Sequence, residues 1–200
     1  MKEKPILFST DMVRAILDGR KTVTRRMIKN ADPFIRDNGL HDSDTLAKCP
    51  YSVGDTLWVR ETWCYADGDM GQCVHAAGLS QDDFVSLFPS KTTTLEIKWK
   101  PSIHMKREHA RLFLCVTDVR AERLQDITEE DAVAEGVIEV QGARERWGFP
   151  MYQGVAKGNI CQINKTAVEA FSNLCDSIYA KRGMGWNANP WVWRVKFEKI

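Results

Sequence analysis

The sequence has no apolar run near the roughly 18–20 residues that cross a bilayer, so no membrane-spanning helix is expected. It also has almost no net charge. The 28 Lys and Arg against 27 Asp and Glu leave +1 at neutral pH, which excludes a histone-like polybasic binder but leaves room for a local basic groove. Its six cysteines (Cys49, Cys64, Cys73, Cys115, Cys161 and Cys175) are scattered and form no CxxC pair. Free thiols in a cytoplasmic protein are therefore the economical expectation. The apolar stretch within residues 1–8 is far too short for a signal peptide, and no small-residue cleavage site follows it. Glycine-rich phosphate loops, G-x-S-x-G and H-E-x-x-H are all missing. Cys64, Cys73 and His75 are conceivable metal ligands, but their spacing matches no zinc pattern and no fourth partner stands out. Neither a metal nor a cofactor is expected.

What is present suits a folded domain. The 200 residues are 44% hydrophobic and 28% charged, with seven Trp and eight Phe, enough for a core without disulfides or metal. One domain spanning residues 1–200 is expected. Its charges are segregated. Residues 14–29 hold six basic groups and one acid, Asp18, whereas residues 61–90 hold five acids and no Lys or Arg. Solvated surface charge accounts for such runs as readily as a binding face does.

Three helices are legible. The first is capped by Ser9 or Thr10, carries Met12, Val13, Ile16 and Leu17 on one face, and stops at Gly19. The second starts at the Thr128-Glu129-Glu130-Asp131 run, which resembles a capping box, and ends before Gly136. The third covers about 165–181 with a stripe of Val168, Phe171, Leu174, Cys175 and Ile178, and Gly183 ends it. Strands are expected at 5–8, 22–28, 55–63, 94–99, 111–119 and 191–198. In the last, Trp191, Trp193, Val195 and Phe197 alternate with Val192, Arg194, Lys196 and Glu198, which suggests one buried and one wetter face. About six short strands with helices between them suggest an α+β fold, a small mixed barrel with flanking helices. The stretches at about 30–52, 64–93 and 137–163 read as insertions on that barrel.

The most informative run is Gly19-Arg20-Lys21-Thr22-Val23-Thr24-Arg25-Arg26, at a helix end leading into a strand. Crowded like charges depress a lysine pKa, and more so if the lysine is buried. Such a lysine can exchange a proton near neutrality, while arginines stay charged and bind an oxyanion or phosphate. In a regular strand Lys21 and Thr24 would point to opposite faces, so they converge only if the chain turns between them. Gly19 makes an irregular backbone plausible there.

The run Ile16-Leu17-Asp18-Gly19-Arg20-Lys21-Thr22-Val23-Thr24 resembles the signature that opens ASCH domains of the PUA-like superfamily. Further blocks are similar in order: Val53-Gly54-Asp55-Thr56-Leu57, Val116-Thr117-Asp118-Val119 with Leu124, the segment from Thr128 to Gly136, and Trp191-Val192-Trp193-Arg194-Val195-Lys196-Phe197. The stretches Trp99-Lys100-Pro101-Ser102-Ile103-His104-Met105 and Asn189-Pro190-Trp191-Val192-Trp193 resemble a longer subgroup common in phages and prophages. Small bacterial enzymes of this family are N4-acetylcytidine amidohydrolases, with a lysine, a threonine three residues later and a glutamate near the end of the acidic helix. Here the matching residues are Lys21, Thr24 and Glu135. This chain is about twice as long as those minimal enzymes.

The resemblance implies hydrolysis of an acylated exocyclic amine on cytidine or a related nucleoside. Two schemes stay open. In one, the Thr24 hydroxyl attacks the acyl carbon, Lys21 accepts its proton, and Glu135 orients Lys21 or moves the proton to the leaving amine. In the other, Glu135 is the base for an attacking water and Lys21 the electrophile. Glu135 beside Lys21 raises the lysine pKa, against the effect of the arginines. Candidate substrate-binding residues are Arg20, Arg25, Arg26, Arg60, Glu61, His104 and Arg107. For Glu61 the plain structural expectation is an ion pair with Arg60 or a neighbour, and for His104 and His109 a surface or hydrogen-bonded ring. The partner is expected to be a modified nucleoside or RNA. The alternative is an RNA-binding module or ribonuclease without amidohydrolase activity, with Trp147 or Trp186 stacking on bases. Trp191, Trp193 and Cys175 are expected in the core.

Overall fold

The computed structural model describes residues 2–28, 48–66, 72–88, 90, 91, 93, 96–147, 150–156, 159, 160 and 162–200. In chain order the elements are β1 (Glu3–Leu7), α1 (Thr10–Leu17), β2 (Val23–Met27), β3 (Thr56–Arg60), β4 (Trp63–Tyr65), β5 (Cys73–His75), α2 (Gln81–Leu87) and β6 (Phe113–Arg123). They continue with α3 (Glu129–Ala134), β7 (Ile138–Glu139), α4 (Ala143–Trp147), β8 (Tyr152–Gln153), β9 (Val155–Ala156), β10 (Asn159–Ile160), α5 (Ala167–Tyr179) and β11 (Trp191–Lys199). Short 3₁₀ turns join several of them.

One sheet organises the α+β fold. Its five strands run in the order β1-β3-β6-β11-β2, with β1 parallel to β3 and the other pairs antiparallel. The expected closed barrel is not formed among the described residues: β1 and β2 are the two edges. The edges meet through a side chain, because the Arg26 guanidinium (Nη2) donates to the Leu7 carbonyl at 2.7 Å. β11 holds the centre, and its register slips between Lys196 and Phe197 where it leaves β2.

The helices follow their local signals. The Ser9 hydroxyl accepts from Met12 N–H to start α1, Thr128 accepts from Asp131 N–H to start α3, and Thr166 accepts from Glu169 N–H to start α5. After α1, Gly19 takes a left-handed φ of 75°, and the amides of Arg20 and Lys21 both return to the Ala15 carbonyl. That turn stops the helix and leaves Lys21 outside the regular strand, which begins at Val23.

The core has three parts. Ile6, Leu57, Val59, Leu114, Val116, Val195 and Phe197 pack with α1, and here Trp191 and Trp193 are buried as expected. A second part joins α3 and α5 to Leu124 and Val192. A third, smaller part under the β4–β5 hairpin and α2 gathers Cys64, Val74, Phe84, Phe88 and Ile97. Burial of such aliphatic and aromatic side chains contributes roughly 1.5–3 kcal/mol each.

Several expectations need correction. The 55–63 strand breaks in two, because Glu61 is buried between β3 and β4 and paired to Arg111. Residues 96–99 are not a strand. Glu96 instead accepts from the Thr93 amide, a local bond that competes with a ladder, and only Lys100 bridges to Trp63. Residues 94 and 95 of that expected strand lie outside the described residues. β11 has no wet face over its first five residues, since Val192 and Arg194 are buried along with Trp191, Trp193 and Val195. The stretch 64–93 contains β4, β5 and α2, and 137–163 contains β7 to β10 and α4. Most of 30–52, and Cys161, lie outside the described residues.

Candidate active site

Lys21 is among the largest fully buried side chains of the described residues, only 1% exposed. Its ammonium donates to the Val23 carbonyl at 2.7 Å, to the Glu135 carbonyl at 2.9 Å and to Glu135 Oε2 at 2.5 Å. Two local features bring Glu135 there, 114 residues away along the chain. Glu135 caps the C-terminus of α3, and the Thr22 amide donates to the Ala134 carbonyl, docking that helix end on the entry to β2. Gly136 then turns away with φ 100°, and any Cβ on it would lie 3.2 Å from that of Ala15 and 3.5 Å from that of Lys21. The positive φ favours glycine there, and the three segments pack closely around it.

Three acceptors match the three protons of an ammonium, so the geometry fits the charged lysine. Burial nevertheless pushes its pKa below the ordinary lysine value, against the pull of Glu135, with Arg26 and Arg25 adding to the lowering. Desolvation thus decides the balance between Glu135 and the arginines.

Thr24 is buried on β2, an edge strand of the sheet. The Lys21 ammonium rests on the carbonyl of the peptide joining Val23 to Thr24. A cavity of about 40 Å³ lies against this edge, lined by Thr24, Arg25, Arg26, Glu135, Phe171 and Tyr179 among others. A second cavity of about 100 Å³, lined by Asp11, Arg14, Arg20, Glu135, Gly136 and Ile138, adjoins it. Met12, Leu174 and Glu135 belong to both walls. Together they fall below the ~300 Å³ of an ordinary small-molecule site. Met12, one of the shared wall residues, is unbranched and adaptable.

Behind the cleft lies a charge network that the sequence did not single out. Arg25 donates to Glu135 Oε1 at 3.3 Å, to Glu122 at 2.8 Å and to Asp131 at 2.6 Å. Arg194, paired with Arg25 across β11 and β2, grips both oxygens of Asp131 at 2.8 and 2.7 Å and reaches Asp118 at 3.0 Å. The Arg194 hydrogen bonds, with Arg25 helping, hold the Asp131 carboxyl at a pKa of about 2. Asp131 stands four residues before Glu135, on the same face of α3. That spacing was the available signal for it; for Arg194 it was a charge set among apolar neighbours in a central strand.

The other candidates separate into two groups. Arg20 lines the outer cavity and bonds to Asp18 and the Gly136 carbonyl. Arg26 lines the inner one and lies over the Phe8 ring at 4.9 Å. Arg60, Glu61, His104 and Arg107 line neither. Arg60 donates to the Ile103 carbonyl and stacks over Trp58, and Glu61 receives two hydrogen bonds from Arg111 at 3.0 and 3.1 Å. Arg107 pairs with Glu3 at 2.8 and 2.9 Å, and His104 is exposed in a 3₁₀ turn. Trp186 packs edge-on against Phe171, and the Trp147 side chain lies outside the described residues. Cys175 is buried in the inner wall, where desolvation raises its thiol pKa and keeps it unreactive. Cys73 Sγ lies 3.8 Å from His75 Nε2, but among the described residues no group of three or more potential ligands is placed to hold a metal ion.

No family model and no curated protein matches the chain. A high-resolution crystal structure of the ASCH domain from Lactobacillus crispatus JV V101 is similar to it at 13% identity with a TM-score of 0.40, covering 99% of this chain and 79% of that one. No helix among the described residues is long and apolar enough to cross a membrane.

Proposed function

We propose that this chain is an amidohydrolase that removes an acyl group from the exocyclic amine of N4-acylated cytidine or a related nucleoside. One observation carries the reading: Glu135, which lines a cleft together with Thr24, holds the desolvated Lys21 ammonium 2.5 Å behind its carboxylate. A buried lysine with a perturbed pKa, paired to a carboxylate that faces a cleft, is a mark of catalytic sites.

The hydrogen bonding favours water as nucleophile. All three Lys21 protons are committed to acceptors, so at rest the lysine has no lone pair with which to activate Thr24. Glu135 is instead the base. It takes a proton from water as the water oxygen bonds to the acyl carbon, and the carbonyl becomes an oxyanion. The Lys21 charge and the Thr24 hydroxyl stabilise that oxyanion. Glu135 then returns the proton to the exocyclic nitrogen as the carbon–nitrogen bond breaks. The products are the free amine and a carboxylic acid, which ionises. Arg25 holds the second oxygen of Glu135 and so fixes the direction of its carboxylate.

The test is acid release from a panel of N4-acylated cytosines, nucleosides and short RNAs without added metal. Hydrolysis of at least one member is expected. Thr24→Val should lower kcat by roughly 10²–10³, the loss for one oxyanion donor. Its complete inactivation would favour Thr24 as nucleophile. Inertness of folded protein towards the whole panel contradicts the proposal and leaves the RNA-binding alternative.

A further inference from the structure

A third cavity stands apart from the residues of the catalytic cleft. At about 320 Å³ it is larger than either of the two described above, and it lies on the small core under β4 and α2. Its apolar wall is Cys64, Phe88 and Ile97, and its polar wall is Lys91, Lys98, Lys100 and Glu96, with Tyr65 beside them. A concave apolar surface with a few convergent charges is the usual composition of a small-molecule site.

The lysines are what make it distinctive. Among the described residues Lys91, Lys98 and Lys100 have no carboxylate partner, whereas most of the other basic side chains described above are paired. Among the described residues Glu96 is the one acid in the wall, and it accepts from the amide and hydroxyl of Thr93. Lys100 is also held in place. Its backbone exchanges two hydrogen bonds with Trp63, and its ammonium sits 4.7 Å from the Trp63 ring centroid and 4.5 Å from that of Tyr65. Tyr65 is fixed in turn by the edge of Trp63 and by His109, whose Nε2 lies 3.2 Å from its hydroxyl. Among the described residues of the wall three lysines face one carboxylate, which suits an anionic ligand, and lysine is a natural point-charge partner for phosphate.

We infer that this cavity binds a nucleoside phosphate, with the flat base against Phe88, Ile97 and Tyr65 and the phosphate between Lys91, Lys98 and Lys100. This assignment does not depend on the hydrolase reading, since it shares no residue with the catalytic cleft. The phosphate can come from a free nucleotide or from the end of a strand.

Calorimetric titration of the full chain tests it, using cytidine and adenosine 5′-monophosphates, the matching nucleosides and a pentanucleotide. The monophosphates or the pentanucleotide should bind at least tenfold more tightly than the nucleosides, with affinity falling as salt rises. Which of the two binds identifies the source. The Lys98→Gln/Lys100→Gln variant should weaken binding at least tenfold. Lys91→Gln/Lys98→Gln, which leaves the contacts with Trp63 and Tyr65 intact, should do likewise. Equal binding of nucleosides and nucleotides, or no loss in either double variant, overturns the proposal. So does a loss confined to Arg20→Ala, because the anion would then sit in the catalytic cleft.

Discussion

Replacing Lys21 by methionine isolates the electrostatic demand of the buried Lys21–Glu135 pair. The methionine fills a similar volume but removes three donors at once, from the Val23 carbonyl, the Glu135 carbonyl and Glu135 Oε2. The side chains of Lys21 and Glu135 are 0% and 5% exposed, so water cannot screen the carboxylate left behind. Breaking a buried pair by removing one partner costs about 3–5 kcal/mol. Here Arg25 still touches Glu135 Oε1 at 3.3 Å, which places the loss near the lower end. About 3 kcal/mol is therefore expected, or roughly 6–12 °C in Tm for a chain of this size. Removing both charges, as Lys21→Met/Glu135→Leu, should recover most of that loss, because an apolar pair replaces the ionic one without leaving a buried charge. Urea unfolding of the wild type, both single variants and the double variant gives the coupling directly. A Lys21→Met loss under about 1 kcal/mol, or a double variant as unstable as the sum of the singles, would refute the picture of a desolvated, interdependent pair.

Two further perturbations probe the support of this pair. Gly136→Ala puts an L-residue at φ 100° and a methyl 3.2 Å from the Ala15 Cβ, so it should cost about 1–3 kcal/mol in chemical denaturation and slow deacylation by shifting Glu135. An unchanged midpoint would show that the close approach is not real. Asp131 contributes to the acid limb of stability. Its carboxyl is held at about 2 by Arg194 and Arg25, below the ordinary 3.8, so its stabilisation is complete above pH about 4 and is lost as pH falls towards 2. Thermal scans of Asp131→Asn between those values should show a flatter acid limb than wild type, and an identical limb would assign the acid sensitivity elsewhere.

Much of the fold was legible because its signals are local. Ser9, Thr128 and Gly19 mark helix ends through short-range hydrogen bonds and backbone freedom, and each acts where its neighbours suggest. The meeting of Lys21 with Glu135 was anticipated only through the family resemblance, since no periodicity links residues so distant. The sheet edges were not readable, because a side-chain bridge from Arg26 to a carbonyl leaves no trace in hydrophobic alternation. Arg194 was assigned to a wetter face for a similar reason. Alternation records polarity, not pairing, and an arginine neutralised by Asp131 and Asp118 can be buried like an apolar residue. Glu61 illustrates the same physics, its burial matched by Arg111. The apolar stripe of α5 was read correctly as buried, but Phe171 and Leu174 also wall the cleft, a second role that spacing cannot reveal.

The most direct measurement is the rate of acid release from N4-acetylcytidine by wild type and by Glu135→Gln, with the fold of each checked by circular dichroism. If Glu135 moves the proton, the folded variant should lose roughly 10²–10⁴ in kcat with little change in KM. A folded Glu135→Gln enzyme that hydrolyses at the wild-type rate would contradict the assignment of this carboxylate and, with it, the proposed chemistry of the cleft.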